Sequence, residues 1–221
     1  TAAGSHMLSI LHAFISQGWE ITFASAAARS EQMDDLKSHN VTCVDIVLNS
    51  SSFDKFVEQL QPSVVLFDRF MTEEQFGWRV EKSCPQALRV LDTEDLFCLR
   101  HARQQAFKDT GLINPLLSPS LLFSELAQRE VASILRCDLS LIVSEVELQL
   151  LTDLFKVAPS LLQYYPLCFS PEAIAQTRPP LEDRDGFIAI GNYRHPPNWD
   201  AVRWLAEAIW PEIRLLLPGA Q

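Results

Sequence analysis

Residues 186–205, Gly-Phe-Ile-Ala-Ile-Gly-Asn-Tyr-Arg-His-Pro-Pro-Asn-Trp-Asp-Ala-Val-Arg-Trp-Leu, with the continuation to Leu217, decide how the chain is read. The apolar run 187–190 predicts a short buried strand. Gly191 and Asn192 break it, and Pro196 and Pro197 stop further pairing. A helix is expected from about Asn198, because Trp199, Val202, Leu205, Ile209 and Ile213 recur at spacings of 3, 3, 4 and 4 and share one face. The apolar run 215–217 reads as the start of another strand. Strand, glycine turn, helix and strand form the opening β–α–β of a nucleotide-binding-type domain. That domain is expected to be present only as its first unit.

Working outward, strands are expected at 19–25, 41–48, 63–68, 88–92, 139–143 and 161–165. Helical patterns lie between them at 31–39, 53–61, 72–83, from about 94, at 120–136 and at 145–156. Alternating β and α segments with apolar strands predict an α/β fold, a doubly wound parallel Rossmann-like sheet covered on both faces. An amphipathic helix at 5–17, closed by Gly18, precedes the first strand, so the strand that normally opens such a fold is expected to be missing or to come from elsewhere. Gly4-Ser5-His6-Met7 also matches a cloning scar, although the helical period runs through Met7. Ser170-Pro171, Pro179-Pro180 and the charged run 182–185 mark 169–185 as a linker between a domain at 1–168 and the second at 186–221.

The 221 residues carry 18 basic and 28 acidic side chains, a net charge of −10, which argues against nucleic acid as a partner. No apolar run reaches the roughly eighteen residues of a membrane span, and the N-terminus lacks a signal peptide's basic region. The chain therefore reads as soluble and cytoplasmic, with room left for peripheral membrane contact. Five scattered cysteines without a Cys-x-x-Cys pair read as reduced, buried thiols. The five histidines show no metal spacing, so neither metal nor cofactor is expected.

The strand, glycine turn and Pro197-Asn198 helix with Leu205 seven residues after the Asn resemble the start of the donor-binding domain of GT-B glycosyltransferases, in particular glycosyltransferase family 4. Residues 1–168 are similar to the acceptor-side domain of the same enzymes. The resemblance implies transfer, with retained configuration, of a sugar from a nucleotide-sugar substrate to a sugar, lipid or protein acceptor. It also implies that the residues gripping the donor lie outside this sequence and that the chain alone is inactive. No Walker A loop, complete Gly-x-Gly-x-x-Gly or Gly-x-Ser-x-Gly elbow favours a P-loop hydrolase, a nicotinamide dehydrogenase or a serine hydrolase.

Candidate site residues sit where strands end and helices begin. Asp92-Thr93-Glu94-Asp95 with Arg100, His101 and Arg103 exceeds what capping needs. On the resemblance, Asp95 and Asp92 are the catalytic candidates that orient an acceptor hydroxyl, and Arg100 meets an anionic acceptor group. Asp68 at a neighbouring strand end lines the acceptor cleft, or simply pairs with Arg69. Gly4 and Ser5 at the opening helix are acceptor-binding candidates, or Ser5 is an ordinary N-cap. Ser144 and Glu147 form a capping box bordering the cleft. Gly191 and Asn198 approach the donor diphosphate. Two other functions stay open: a non-catalytic Rossmann-like binding module, and another GT-B enzyme such as a sugar-nucleotide epimerase.

Overall fold

The computed structural model describes residues 2–28, 36–112, 117–168, 179–193 and 195–220. The chain divides into two compact units, Ile10–Cys168 and Thr1–Ser9 with Phe169–Gln221. Helix α1 (Ala2–Ser16) begins before the residues expected to cap it. Ser5 lies inside its first turns, where its carbonyl accepts from the Ser9 hydroxyl at 2.9 Å. Gly18, at φ 77, ends the helix with its N–H on Ile15 O, 2.9 Å away.

The larger unit is α/β with parallel sheets. Strands β1 (Thr22–Ser25) and β2 (Thr42–Asp45) pair with each other. Strands β3 (Val64–Asp68), β4 (Leu88–Asp92), β5 (Leu139–Ile142) and β6 (Leu162–Tyr164) form a second parallel sheet in that order. Helices fill the crossovers: α2 (Ser52–Leu60), α3 (Phe70–Ser83), α4 (Phe97–Thr110), α5 (Pro119–Leu122), α6 (Glu125–Arg136) and α7 (Glu145–Asp153). Helix α3 lies on β3 and β4 and packs against α2 and α6, while α7 covers β5 and β6. Phe53, Val57, Phe67, Phe76, Val80, Leu91, Ile134, Ile142 and Leu151 share one buried core.

Every expected strand of this unit forms, β4 over its full expected length and the others shortened by one or more residues. Of the helix expected at 31–39 only the 3-10 turn Leu36–His39 is described, since 29–35 lie outside the described residues. The single helix expected at 120–136 is two, because Ser124 takes an extended conformation and its hydroxyl accepts the Ala127 N–H at 3.3 Å. Cys84, Cys98 and Cys137 are buried as expected, whereas Cys43 is half-buried and Cys168 exposed. Burial pushes the Cys98 thiol far up and that of Cys137 up to about 12, so both stay protonated and inert.

The second unit corrects the reading of its sequence. No strand forms at 187–190 or 215–217. A strand needs a partner for its ladder, and none is offered among the described residues of this unit. Helix α8 (Pro196–Trp204) passes through a π segment (Leu205–Ile209) into α9 (Trp210–Leu216), so Leu215 and Leu216 end a helix. Pro211 supplies no N–H to the carbonyl one turn earlier, and the wider turn relieves its ring of that carbonyl. The expected one-face stripe from Trp199 to Ile213 therefore changes phase in the middle. Residues 169–178 of the expected linker lie outside the described residues, and Leu181–Asp183 is a 3-10 turn.

Candidate functional site

Parallel strands carry their loops at one end, and in the larger unit the ends of β3, β4 and β5 gather the charged groups expected from sequence. The loop after β4 is folded by its own polar atoms. Asp92 Oδ1 accepts the Glu94 N–H at 3.1 Å, Thr93 Oγ1 donates to Leu141 O at 2.9 Å, and Asp95 N–H reaches Thr93 O at 2.7 Å. Asp92 is fully enclosed, so it shapes the loop from within rather than meeting an acceptor. Asp95 reaches solvent and pairs with Arg100 at 3.2 Å, whose guanidinium lies 4.2 Å over the Phe97 ring. Burial raises the Asp95 carboxyl above its ordinary value, against the pull of Arg100.

Beside this loop, Arg69 follows β3 in a backbone conformation that is nearly glycine's alone, φ 68 and ψ 159. Such a residue costs on the order of 1–3 kcal/mol and survives only where its surroundings hold it. Here its N–H donates to Asp92 O at 2.8 Å, and its guanidinium grips Glu94 at 2.6 Å and Asp68 at 3.5 Å. Glu94 is itself left-handed at φ 57. The Glu94 hydrogen bond is the largest influence holding the guanidinium of Arg69 in its charged form.

Two carboxylates brace the loop from behind. Helix α4 starts at Phe97, three residues later than expected, and none of its preceding acids caps it. Glu130 of α6 does so instead, its two oxygens accepting Phe97 N–H and Cys98 N–H, each at 2.7 Å. Glu147 of α7 accepts the Leu96 N–H at 3.1 Å. This corrects the capping box: Ser144 is the N-cap of α7 without a side-chain bond, and Glu147 turns away to the β4–α4 loop. Both glutamates are buried, and burial raises both carboxyls despite the amides that favour their ions. Glu147 Oε2 is enclosed without a partner among the described residues. Sequence reading missed Glu130, although Ala127, Glu130 and Ile134 are spaced 3 and 4 apart, which puts the acid on the buried stripe of α6.

Asp68, Asp92, Asp95 and Arg100 therefore lie at one end of one sheet. In the other unit Gly191 and Asn198 meet: Asn198 Nδ2 donates to Asn192 O at 3.2 Å, and a Cβ on Gly191 would come within 3.2 Å of the Asn198 side chain. Gly4 and Ser5 sit inside the opening turns of α1, and neither precedes the helix as expected. Among the described residues no three metal-ligating side chains cluster, and no helix is long and apolar enough to cross a membrane. No protein-family model matches the sequence, and no curated protein is significantly similar to it.

Proposed function

We propose that this chain is the acceptor-side part of a GT-B glycosyltransferase, moving a sugar from a nucleotide sugar to an acceptor held at the ends of β3 and β4. The observation that carries the reading is Arg69. A strained arginine, clamped by a left-handed Glu94 on adjacent parallel strand ends, is costly architecture where a glycine would fold more easily. Ligands of open α/β sheets bind at such ends. In this reading Asp95, solvent-facing and with its carboxyl raised by burial, accepts a hydrogen bond from the acceptor hydroxyl. Arg100 and Arg69 meet an anionic group on the acceptor, and Asp92 keeps the loop in shape. Charge at the departing diphosphate must be met by preorganised N–H groups and cations, a role that Gly191 and Asn198 share only in part.

A second reading rests on the pairs themselves. Asp95 with Arg100 and Arg69 with Glu94 satisfy one another, as the rim of a non-catalytic binding module would. Nucleotide release from a panel of nucleotide sugars and acceptors, using the chain joined to a complete donor-binding domain, separates the two. Asp95→Asn should lower turnover by at least about tenfold with thermal stability kept. Acceptor binding with no turnover in either protein would transfer the assignment to the binding module.

A further inference from the structure

Two histidines of the larger unit meet, although nothing in their sequence positions announces it. His12 stands on α1 and His39 ends the 3-10 turn that leads into β2, with His12 Nε2 lying 3.1 Å from His39 Nδ1. They are 27 positions apart, so no periodicity along one helix could signal the pair. Backbone and core hold each ring in place. Leu11 beside His12 and Val41 just after the turn are both buried. Asn40 N–H donates to Lys37 O at 3.1 Å and Val41 N–H to Leu36 O at 3.2 Å, which closes the turn. Asn40 takes the left-handed conformation that asparagine tolerates, φ 61. His12 is exposed and His39 half-buried, so the pair opens to solvent.

The two nitrogens are spaced as ligands of one ion. Metal–imidazole bonds of about 2.0–2.1 Å spanning 3.1 Å subtend about 100° at the metal, between octahedral and tetrahedral angles. The ring centroids are 4.9 Å apart. Imidazoles meeting head-on in a straight N–H···N bond would hold their centroids about 5.4 Å apart, whereas two aimed at a common ion hold them about 4.8 Å apart. The 54° between the ring planes is no obstacle, because a ring can turn about its metal–nitrogen bond. As a hydrogen bond the contact needs one ring to donate and the other to accept. A cation satisfies both lone pairs at once.

We propose that His12 and His39 form a two-imidazole site for a divalent transition ion such as zinc, which fastens α1 to the turn entering β2. Imidazole nitrogen suits zinc, copper and nickel, and not the oxygen-seeking magnesium or calcium. Each ring coordinates through the facing nitrogen and keeps its proton on the other, Nδ1 of His12 and Nε2 of His39. Among the described residues no third metal-ligating side chain joins them, so at least two positions of a tetrahedral ion fall to water or an outside donor. The grip is that of two ligands, weaker than a closed four-ligand structural zinc. The proposal stands independently of the transferase reading.

Zinc titration of the 221-residue chain, followed by calorimetry and by the imidazole NMR signals, tests the site. One ion per chain should bind, with the His12 and His39 signals shifting together and those of His101 and His195 unmoved. His12→Ala and His39→Ala should each weaken binding by at least about tenfold, while His195→Ala in the other unit leaves it unchanged. Magnesium should not bind. At about 100 times its Kd, zinc should raise the folded-to-unfolded ratio in urea by up to about 100-fold, and should not do so in either alanine variant. If those variants fold poorly, the joint shift of the two imidazoles in the unsubstituted chain decides. No binding up to about 1 mM free zinc, binding kept by either alanine variant, or one ring moving without the other would overturn the proposal and leave the pair a hydrogen bond alone.

Discussion

Residues 64–67 and 187–190 are four apolar residues each, both reading as strand, and they end differently. The first run is β3, hydrogen-bonded to β4, with Phe67 in the common core. The second forms no strand, and Ile188 and Ile190 stay 84% and 87% exposed. At the far end of the same unit Leu216 is 82% exposed, while Leu91 in β4 is 0% exposed. The apolar pattern is alike in both. What differs is the presence of a neighbouring strand and of a covering helix, α3, without which a strand has neither ladder nor cover.

The largest effects should follow that contrast. Leu91→Ala or Ile134→Ala should cost about 3–4 kcal/mol, the usual range for a filled site losing its side chain. Leu216→Ala or Ile190→Ala should stay within about 0.5 kcal/mol, as for surface changes. Urea midpoints of the four variants decide it, and comparable losses in both units would erase the distinction.

Next come the buried glutamates, which have no counterpart among the exposed acids of the second unit. Glu130→Ala strands the Phe97 and Cys98 amides and should cost about 2–3 kcal/mol, against nearly nothing for Glu207→Ala. The sign of the pH dependence follows from the raised carboxyls of Glu130 and Glu147. The folded state binds their protons more tightly than the unfolded chain does. Their contribution is complete below the unfolded value of about 4.3 and is lost as pH rises through the higher folded values. Glu74 works in the opposite sense, its carboxyl lowered chiefly by the Arg129 hydrogen bond, so its contribution fades as pH falls. Glu130→Gln should thus gain on the wild type between pH 4.5 and 7 in urea titrations. A gap that stays constant over that range would show that Glu130 does not titrate there.

The smallest effect sharpens the site. Arg69→Gly should be more stable than Arg69→Ala by about 1 kcal/mol, reversing the usual order, because only glycine takes this conformation without strain. Calorimetry on the two variants is sufficient. Alanine equal to or above glycine would mean that Arg69 is not strained and would remove the observation on which the functional proposal stands.

The charged groups of the candidate site are legible in sequence because acids at strand ends stand out against apolar runs. Asp68, Asp92, Asp95 and Arg100 share one end of one sheet, although Asp92 is enclosed and only shapes the loop. Glu130 and Glu147 were missed or misassigned for a common reason. Each completes a loop 32 or more positions away in sequence, and a capping rule looks only three residues along its own helix. The split between α5 and α6 had a local signal in Ser124, masked by apolar residues on both sides.

The sequence by itself determined the alternation of strand and helix in the larger unit, because period-3.6 stripes and β-branched runs are local properties of the chain. Tertiary structure alone decided which apolar runs became strands, which glutamate capped α4, and that Arg69 holds a glycine's conformation. Those outcomes depend on a partner brought from elsewhere in the chain: a ladder for the strand, a carboxylate for the helix end, and a clamp for the strained backbone.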